Sequence, residues 1–135
     1  MRVLFWYCER LAWRPALKTL PDVPEGRSAE LAAVVAAFVH VEPADVERAS
    51  KVETKLVKNC KWLAGKWDTR QIVLHSFTHL AEEKAEPDFA RALMQRARER
   101  LIAADYRVAE TPYGHFLDLS LSAPGHPLAR IFKQL

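Results

Sequence analysis

The most continuously apolar part of the chain is its beginning. Residues 3–8 (VLFWYC) form an unbroken run of β-branched, aromatic and aliphatic side chains, the pattern of a strand covered on both faces. Residues 31–41 (LAAVVAAFVHV) are nearly as apolar. Their alanines permit a helix, but Val34, Val35, Phe38, Val39 and Val41 tilt the second half towards a buried strand. Residues 71–80 (QIVLHSFTHL) pass from strand-formers into two histidines and then meet the charged break Glu82-Glu83-Lys84-Ala85-Glu86-Pro87. That order predicts a strand whose end opens on a pocket. Residues 106–109 (YRVA) read as a short strand and Tyr113-Gly114 as a turn. Residues 115–122 (HFLDLSLS) alternate with a period of two, the mark of a half-buried strand.

Two stretches carry the helical period instead. Pro43 stands where a first-turn proline loses no intrahelical hydrogen bond, and Asp45 suits the positive end of the helix dipole. From there Val46, Ala49, Val52, Leu56, Cys60 and Leu63 recur at steps of three and four, predicting one long amphipathic helix that ends near Gly65, with Trp62 and Trp67 bracketing its end. Pro87 and Asp88 open a second helix in the same way, with Phe89, Leu93, Ala97 and Leu101 as the buried stripe and Ala90 and Met94 beside it. Residues 9–28 contain Pro15, Pro21, Pro24 and Gly26 and read as a long connection pinned by Trp13. After the turn at residues 123–127, residues 128–132 suggest a last helical turn.

The order strand, strand, helix, strand, helix, strand, strand predicts an α/β fold: a mixed sheet of about five strands with two long helices packed on it, in a single domain spanning residues 1–135. A chain of 135 residues, half of them apolar, has room for one real core and not for two ordinary domains.

Charge and cysteine content narrow the partners only slightly. Lys and Arg number 20 against 17 Asp and Glu, a net +3, so the distribution of basic residues matters more than their sum. Cys8 and Cys60 lack paired spacing, which argues against a disulfide framework or zinc ribbon and fits buried thiols in a reducing, cytoplasmic setting. The apolar N-terminus is far shorter than a membrane span and lacks a signal-peptide cleavage site, so no membrane partner is expected.

The chemistry-bearing motifs are sparse. His75 and His79 are four apart, but no glutamate follows the first and the segment reads as strand, so a pocket or core role outweighs metal ligation. The chain has no Gly-x-Ser-x-Gly elbow and no Gly-rich phosphate loop, and neither cysteine has an activating neighbour. The basic faces of the two helices are compatible with nucleic acid, although such faces are usually solvated surface.

Five short motifs in one order resemble the N-terminal editing domain of archaeal threonyl-tRNA synthetases, which shares its fold with D-aminoacyl-tRNA deacylases. They are Met1-Arg2-Val3-Leu4, Ala37-Phe38-Val39-His40-Val41-Glu42, Ser76-Phe77-Thr78-His79-Leu80, Thr111-Pro112-Tyr113-Gly114 and Gly125-His126-Pro127-Leu128-Ala129. The resemblance implies hydrolytic proofreading of tRNA(Thr) that carries serine, without a cofactor or metal, in a homodimer. Serine lacks one methyl group of threonine, worth only about 1–3 kcal/mol of discrimination, so a second pocket that excludes threonine by size is useful. The matched pocket residues are Val41, Phe77, Thr78, His79, Pro112, Tyr113 and Gly114, with His79 implied as the contact to the seryl group.

Where the family pattern continues with two tyrosines and a lysine, this chain has His115, Phe116 and Leu117. Arg130 stands where the family has an acidic residue. A mechanism built on that lysine therefore cannot operate unchanged. Catalysis is expected to rest on the tRNA 2′-OH, on His79 and His115 and on backbone N–H groups near Phe116, with Lys55, Lys58 and Lys61, or Arg96 and Arg100, holding the tRNA. The alternatives are a non-catalytic tRNA- or aminoacyl-binding module and a D-aminoacyl-tRNA deacylase. The latter's Ser-Gln-Phe-Thr and Gly-Pro signatures are absent.

Overall fold

In the computed structural model, which describes residues 1–135, the apolar N-terminus is the hub of the sheet. Strand β1 (Arg2–Lys18) pairs antiparallel with β2 (Ala29–His40) along most of its length, with β6 (Arg130–Gln134) at its start and with β5 (His115–Ser122) over its second half. Strands β3 (Gln71–Ser76) and β4 (Arg107–Glu110) extend the other side in parallel, giving the order β4-β3-β2-β1-β5 with β6 also on β1. Helix α1 (Ala49–Lys66) connects β2 to β3 and α2 (Pro87–Ala103) connects β3 to β4, the crossovers that parallel strands require.

Alternate residues of the central strands face two different cores. Val35, Ala37, Val39, Ile72 and Leu74 share a cluster with Leu56, Cys60 and Leu63 of α1 and Leu93, Ala97 and Leu101 of α2. Val34, Ala36, Phe38 and Val73 face the other way and join Cys8, Leu11 and Trp13 in a smaller cluster that contains no helix residue. Both free thiols are buried, which pushes Cys8 up to about 11 and Cys60 up to about 12 and leaves them inert at neutral pH. No helix is long and apolar enough to cross a membrane.

The mixed α/β class and the helix that begins at Pro87 agree with the sequence pattern, and four expectations need correction. The proposed connection at residues 9–28 is strand as far as Lys18. Pro15 is tolerated because the β2 ladder ends at Trp13, and the β5 ladder shifts register between Pro15 and Leu17, a bulge that accommodates the missing N–H. Strand β2 is also extended over its alanine-rich first half, starting at Ala29. The first helix is not continuous from Pro43: Pro43–Arg48 is a 3-10 segment before α1. Its tighter turn shifts the helical phase, which is why Val46, expected in the core, is 57% exposed. The last segment is a single 3-10 turn, Pro127–Ala129, followed by β6, so the sheet has six strands rather than about five.

Candidate functional site

The C-terminal ends of β2 and β3, the start of α2 and the turn before β5 enclose a cavity of about 570 Å³. Each wall has a local cause. The β2–β3 ladder continues past the strand ends through Phe77 N–H, which donates to the Val39 carbonyl at 2.9 Å, and Ala85 N–H donates to the Val41 carbonyl at 2.9 Å. Between these two anchors the loop is clamped by His40, which is fully buried. The Leu80 N–H donates to its Nδ1 at 3.1 Å, and Nε2 therefore carries the hydrogen that it donates to the Glu83 carbonyl at 2.7 Å. Arg2 adds a 3.0 Å bond to the Leu80 carbonyl. The loop tip, Thr78 and His79, is left exposed at the cavity, and the His79 ring lies edge-on to Phe77 with centroids 4.9 Å apart.

The opposite wall is the turn 112–116. Tyr113 Oη donates to the Pro87 carbonyl at 3.1 Å, and the Arg91 guanidinium lies 5.5 Å from the Tyr113 ring centroid. Burial raises the pKa of the Tyr113 phenol above its ordinary value. Gly114 has φ of +74°, and a Cβ there would come within 2.7 Å of Val23. Its carbonyl accepts from Thr19 N–H at 2.7 Å, which draws the end of β1 onto the cavity. His115 Nδ1 lies 3.1 Å from the Tyr113 carbonyl, so Nδ1 carries the hydrogen; Nε2 is buried without a partner in the protein.

Val41, Phe77, Thr78, His79, Pro112, Tyr113, Gly114, His115 and Phe116 all line this one cavity. Leu117 lines it too, whereas Arg130 lies elsewhere, 5.6 Å from the Trp6 ring centroid. Three further contributors carry no recognisable motif. Lys18 and Lys84 reach the cavity only because β1 is long and the loop after β3 is folded back, and His75 is at its floor. The His75 Nδ1 and the Thr111 hydroxyl are hydrogen-bonded at 2.8 Å. Burial, reinforced by the charge of His79, pulls the His75 pKa down to about 4, so the ring is neutral at pH 7. No carboxylate or thiol lines the cavity, and nowhere do three or more His, Cys, Asp or Glu side chains cluster as metal ligands.

The five basic residues expected to hold tRNA divide into two sets. Arg96 and Arg100 are bonded to Glu53 at 2.7 and 2.9 Å, whereas Lys55, Lys58 and Lys61 on α1 form no ion pair.

The family profile described as the archaea-specific editing domain of threonyl-tRNA synthetase matches residues 1–135. The chain is 30% identical over 139 residues to a threonine–tRNA ligase of Thermococcus kodakarensis, covering 100% of this chain and 22% of that protein. Against the corresponding ligase of Methanopyrus kandleri the identity is 29% over 135 residues, 98% of this chain and again 22% of the relative. The chain thus spans about a fifth of the length of these relatives. A solved structure, c-Myc DNA unwinding element binding protein, superposes with a TM-score of 0.69 at 11% identity, covering 100% of this chain and 99% of that one, a likeness of fold alone. With a match that begins at Met1 and ends at Leu135, the chain belongs to the archaea-specific editing-domain family of threonyl-tRNA synthetases.

Proposed function

We propose that this cavity hydrolyses the ester of L-serine wrongly attached to tRNA(Thr). The observation that carries the reading is the composition of the wall: nine residues from three separate stretches meet, with Lys18 and Lys84 beside them, on one surface built of imidazoles, lysines, aromatic rings and backbone, with no carboxylate and no thiol. Such a wall offers no carboxylate base or thiolate nucleophile; in this reading activation of the water falls to the substrate's own hydroxyl and the main chain, with the imidazoles of His79 and His115 in binding roles. Water attacks the ester carbonyl carbon, the bond to the ribose oxygen breaks and takes up a proton, and serine departs as the free acid. The neighbouring ribose 2′-OH positions the water, and backbone N–H groups of the turn 112–116 face the developing oxyanion.

Two side chains have individual roles. His79, exposed at the loop tip, contacts the seryl moiety. His115 accepts a hydrogen bond from a hydroxyl of the bound ribose, because its buried Nε2 lone pair has no donor in the protein. Size selects the amino acid: the walls at Val41, Phe77 and Tyr113 admit serine and exclude the extra methyl of threonine.

The second reading, a non-catalytic aminoacyl-tRNA-binding module, draws on Leu117, an apolar side chain on the cavity where the resembling family carries lysine. One assay separates the two. The protein is incubated with L-seryl-, L-threonyl- and D-aminoacyl-tRNA, and ester loss is followed. Selective loss of serine supports proofreading, loss of D-amino acids points to a D-aminoacyl deacylase, and no loss points to the module. Seryl-tRNA ending in 2′-deoxyadenosine then tests substrate assistance; cleavage at the undiminished rate rules it out.

A further inference from the structure

The outer face of α1 plays no part in the cavity. Lys51, Lys55, Lys58, Trp62 and Lys66 recur at steps of four, three, four and four, which sets them in one line along the helix, opposite the buried Val52, Leu56, Cys60 and Leu63. None of the four lysines forms an ion pair. The only carboxylate of α1, Glu53, is buried and already held by Arg96 and Arg100. Against a net charge of +3 for the whole chain, a row of four unpaired ammonium groups is a local excess.

Trp62 is the independent observation. It is 44% exposed in the middle of a cationic row, with the Lys66 ammonium 5.9 Å and the Lys133 ammonium of β6 5.6 Å from its ring centroid. An indole so placed contributes little to the core and presents a flat π surface among positive charges, the pairing that nucleic-acid grooves use for stacking and phosphate contact.

We propose that this row docks the phosphodiester backbone of duplex RNA, namely the acceptor arm of the tRNA whose charged end enters the cavity, with Trp62 packing on a backbone ribose towards the far end of the contact. The inference rests on the reading of the domain as one that acts on aminoacyl-tRNA. The fifteen helical steps from Lys51 to Lys66 span roughly 22 Å, a length that faces about six phosphates of one strand. Val41 lines the cavity, and the chain passes from it through the short 3-10 segment into α1. The row therefore begins at the cavity end of the sheet and recedes from it, the direction a stem takes away from its 3′ end. Lys61 lies on the flank of the row, and Arg96 and Arg100 are neutralised by Glu53.

The test uses an uncharged RNA hairpin ending in single-stranded CCA, with binding followed by fluorescence anisotropy between 50 and 300 mM salt (roughly the range over which phosphate contacts weaken steeply). The expected results are a loss of tenfold or more in affinity for K51E/K58E, with a salt slope lower by about two, one for each lysine. W62A is expected to weaken binding about threefold to tenfold with an unchanged slope. R107E, a charge change on β4, is the control and stays within about twofold of the parent. Wild-type-like binding by both K51E/K58E and W62A, or no binding by the parent protein, overturns the proposal. So does loss of anionic-vesicle binding in K51E/K58E with RNA binding retained. Because the hairpin carries no ester, the outcome is separate from hydrolysis: failure to cleave seryl-tRNA sinks the proofreading reading and leaves the docking surface standing.

Discussion

His75 and His79 are four residues apart and lead different lives. His75 is 7% exposed, hydrogen-bonded to Thr111 and edge-on to Phe38 with ring centroids 4.8 Å apart. His79 has no hydrogen bond to hold and stands in solvent at the cavity. H79A is therefore expected to change stability by less than about 0.5 kcal/mol, as for other exposed positions, while lowering deacylation of seryl-tRNA at least tenfold. Urea melts beside the deacylation assay check this; a fall in stability equal to that of a His75 variant would return both rings to the core. For His75 the prediction concerns pH. A ring whose pKa falls from 6.5 unfolded to about 4 folded must stay neutral to fold. The unfolded chain binds the extra proton between those values, so stability is complete above about pH 6.5 and declines as pH falls towards 4, by up to about 3 kcal/mol. Urea melts of H75Q and the parent from pH 7.5 to 4 should converge as the pH drops, and parallel curves would exclude the linkage.

At the level of elements, the entry into the 3-10 segment before α1 is held by a capping box between Glu42 and Asp45 and by a buried charge pair. The Met1 ammonium lies 2.7 Å from Asp45 Oδ1 and 3.0 Å from Glu42 Oε1, and both Met1 and the Asp45 side chain are inaccessible. Asp45 Oδ2 also accepts from Glu42 N–H at 2.8 Å, and Arg48 donates to the Leu135 carbonyl at 2.7 Å, so one knot joins β1, β6 and the 3-10 segment. Removing one partner of a buried pair leaves the other charge unpaired. D45A is expected to cost about 3–5 kcal/mol, read as a lowered urea midpoint with an unchanged m-value; a loss below about 1 kcal/mol would show that water reaches the ammonium. The same knot explains why Asp45, an ordinary helix-start residue by sequence, is fully buried. Residues 9–18 carry the converse lesson. Pro15 and four charges within ten residues read as a loop, yet flanking partners make the segment strand by supplying ladders on either side of the proline.

For the molecule as a whole, one face of the sheet is roofed by two helices and the other by none. On the open face Phe132, paired with Leu4, is 54% exposed, and Trp6 lies beneath Arg130 with its indole N–H unpartnered. A homodimer joined through this face is the expected assembly, and light scattering should give twice the 15.4 kDa chain mass, with F132E shifting it to the monomer. A monomeric parent protein would remove the idea.

From the residue pattern alone, only the strand end at 71–80 with its two histidines pointed to a pocket; Val41, Phe77, Thr78, Pro112, Tyr113 and Gly114 were legible through short motifs that resemble the editing-domain family. His40, Lys18 and Lys84 were not. His40 looks like one more position in an apolar run, and only the fold shows that its ring clamps the His79 loop at Leu80 and Glu83. Periodicity, a local property of the chain, determined the two helices, five of the strands and the α/β class, since side-chain spacing of 3.6 or 2 is set by backbone geometry. The remaining features are non-local: the reach of β1 through Pro15, the sixth strand at Arg130–Gln134, the convergence of nine residues on one cavity, and which cations are free and which are already paired. Each depends on which strand or carboxylate arrives from tens of residues away, and only the tertiary structure decides that.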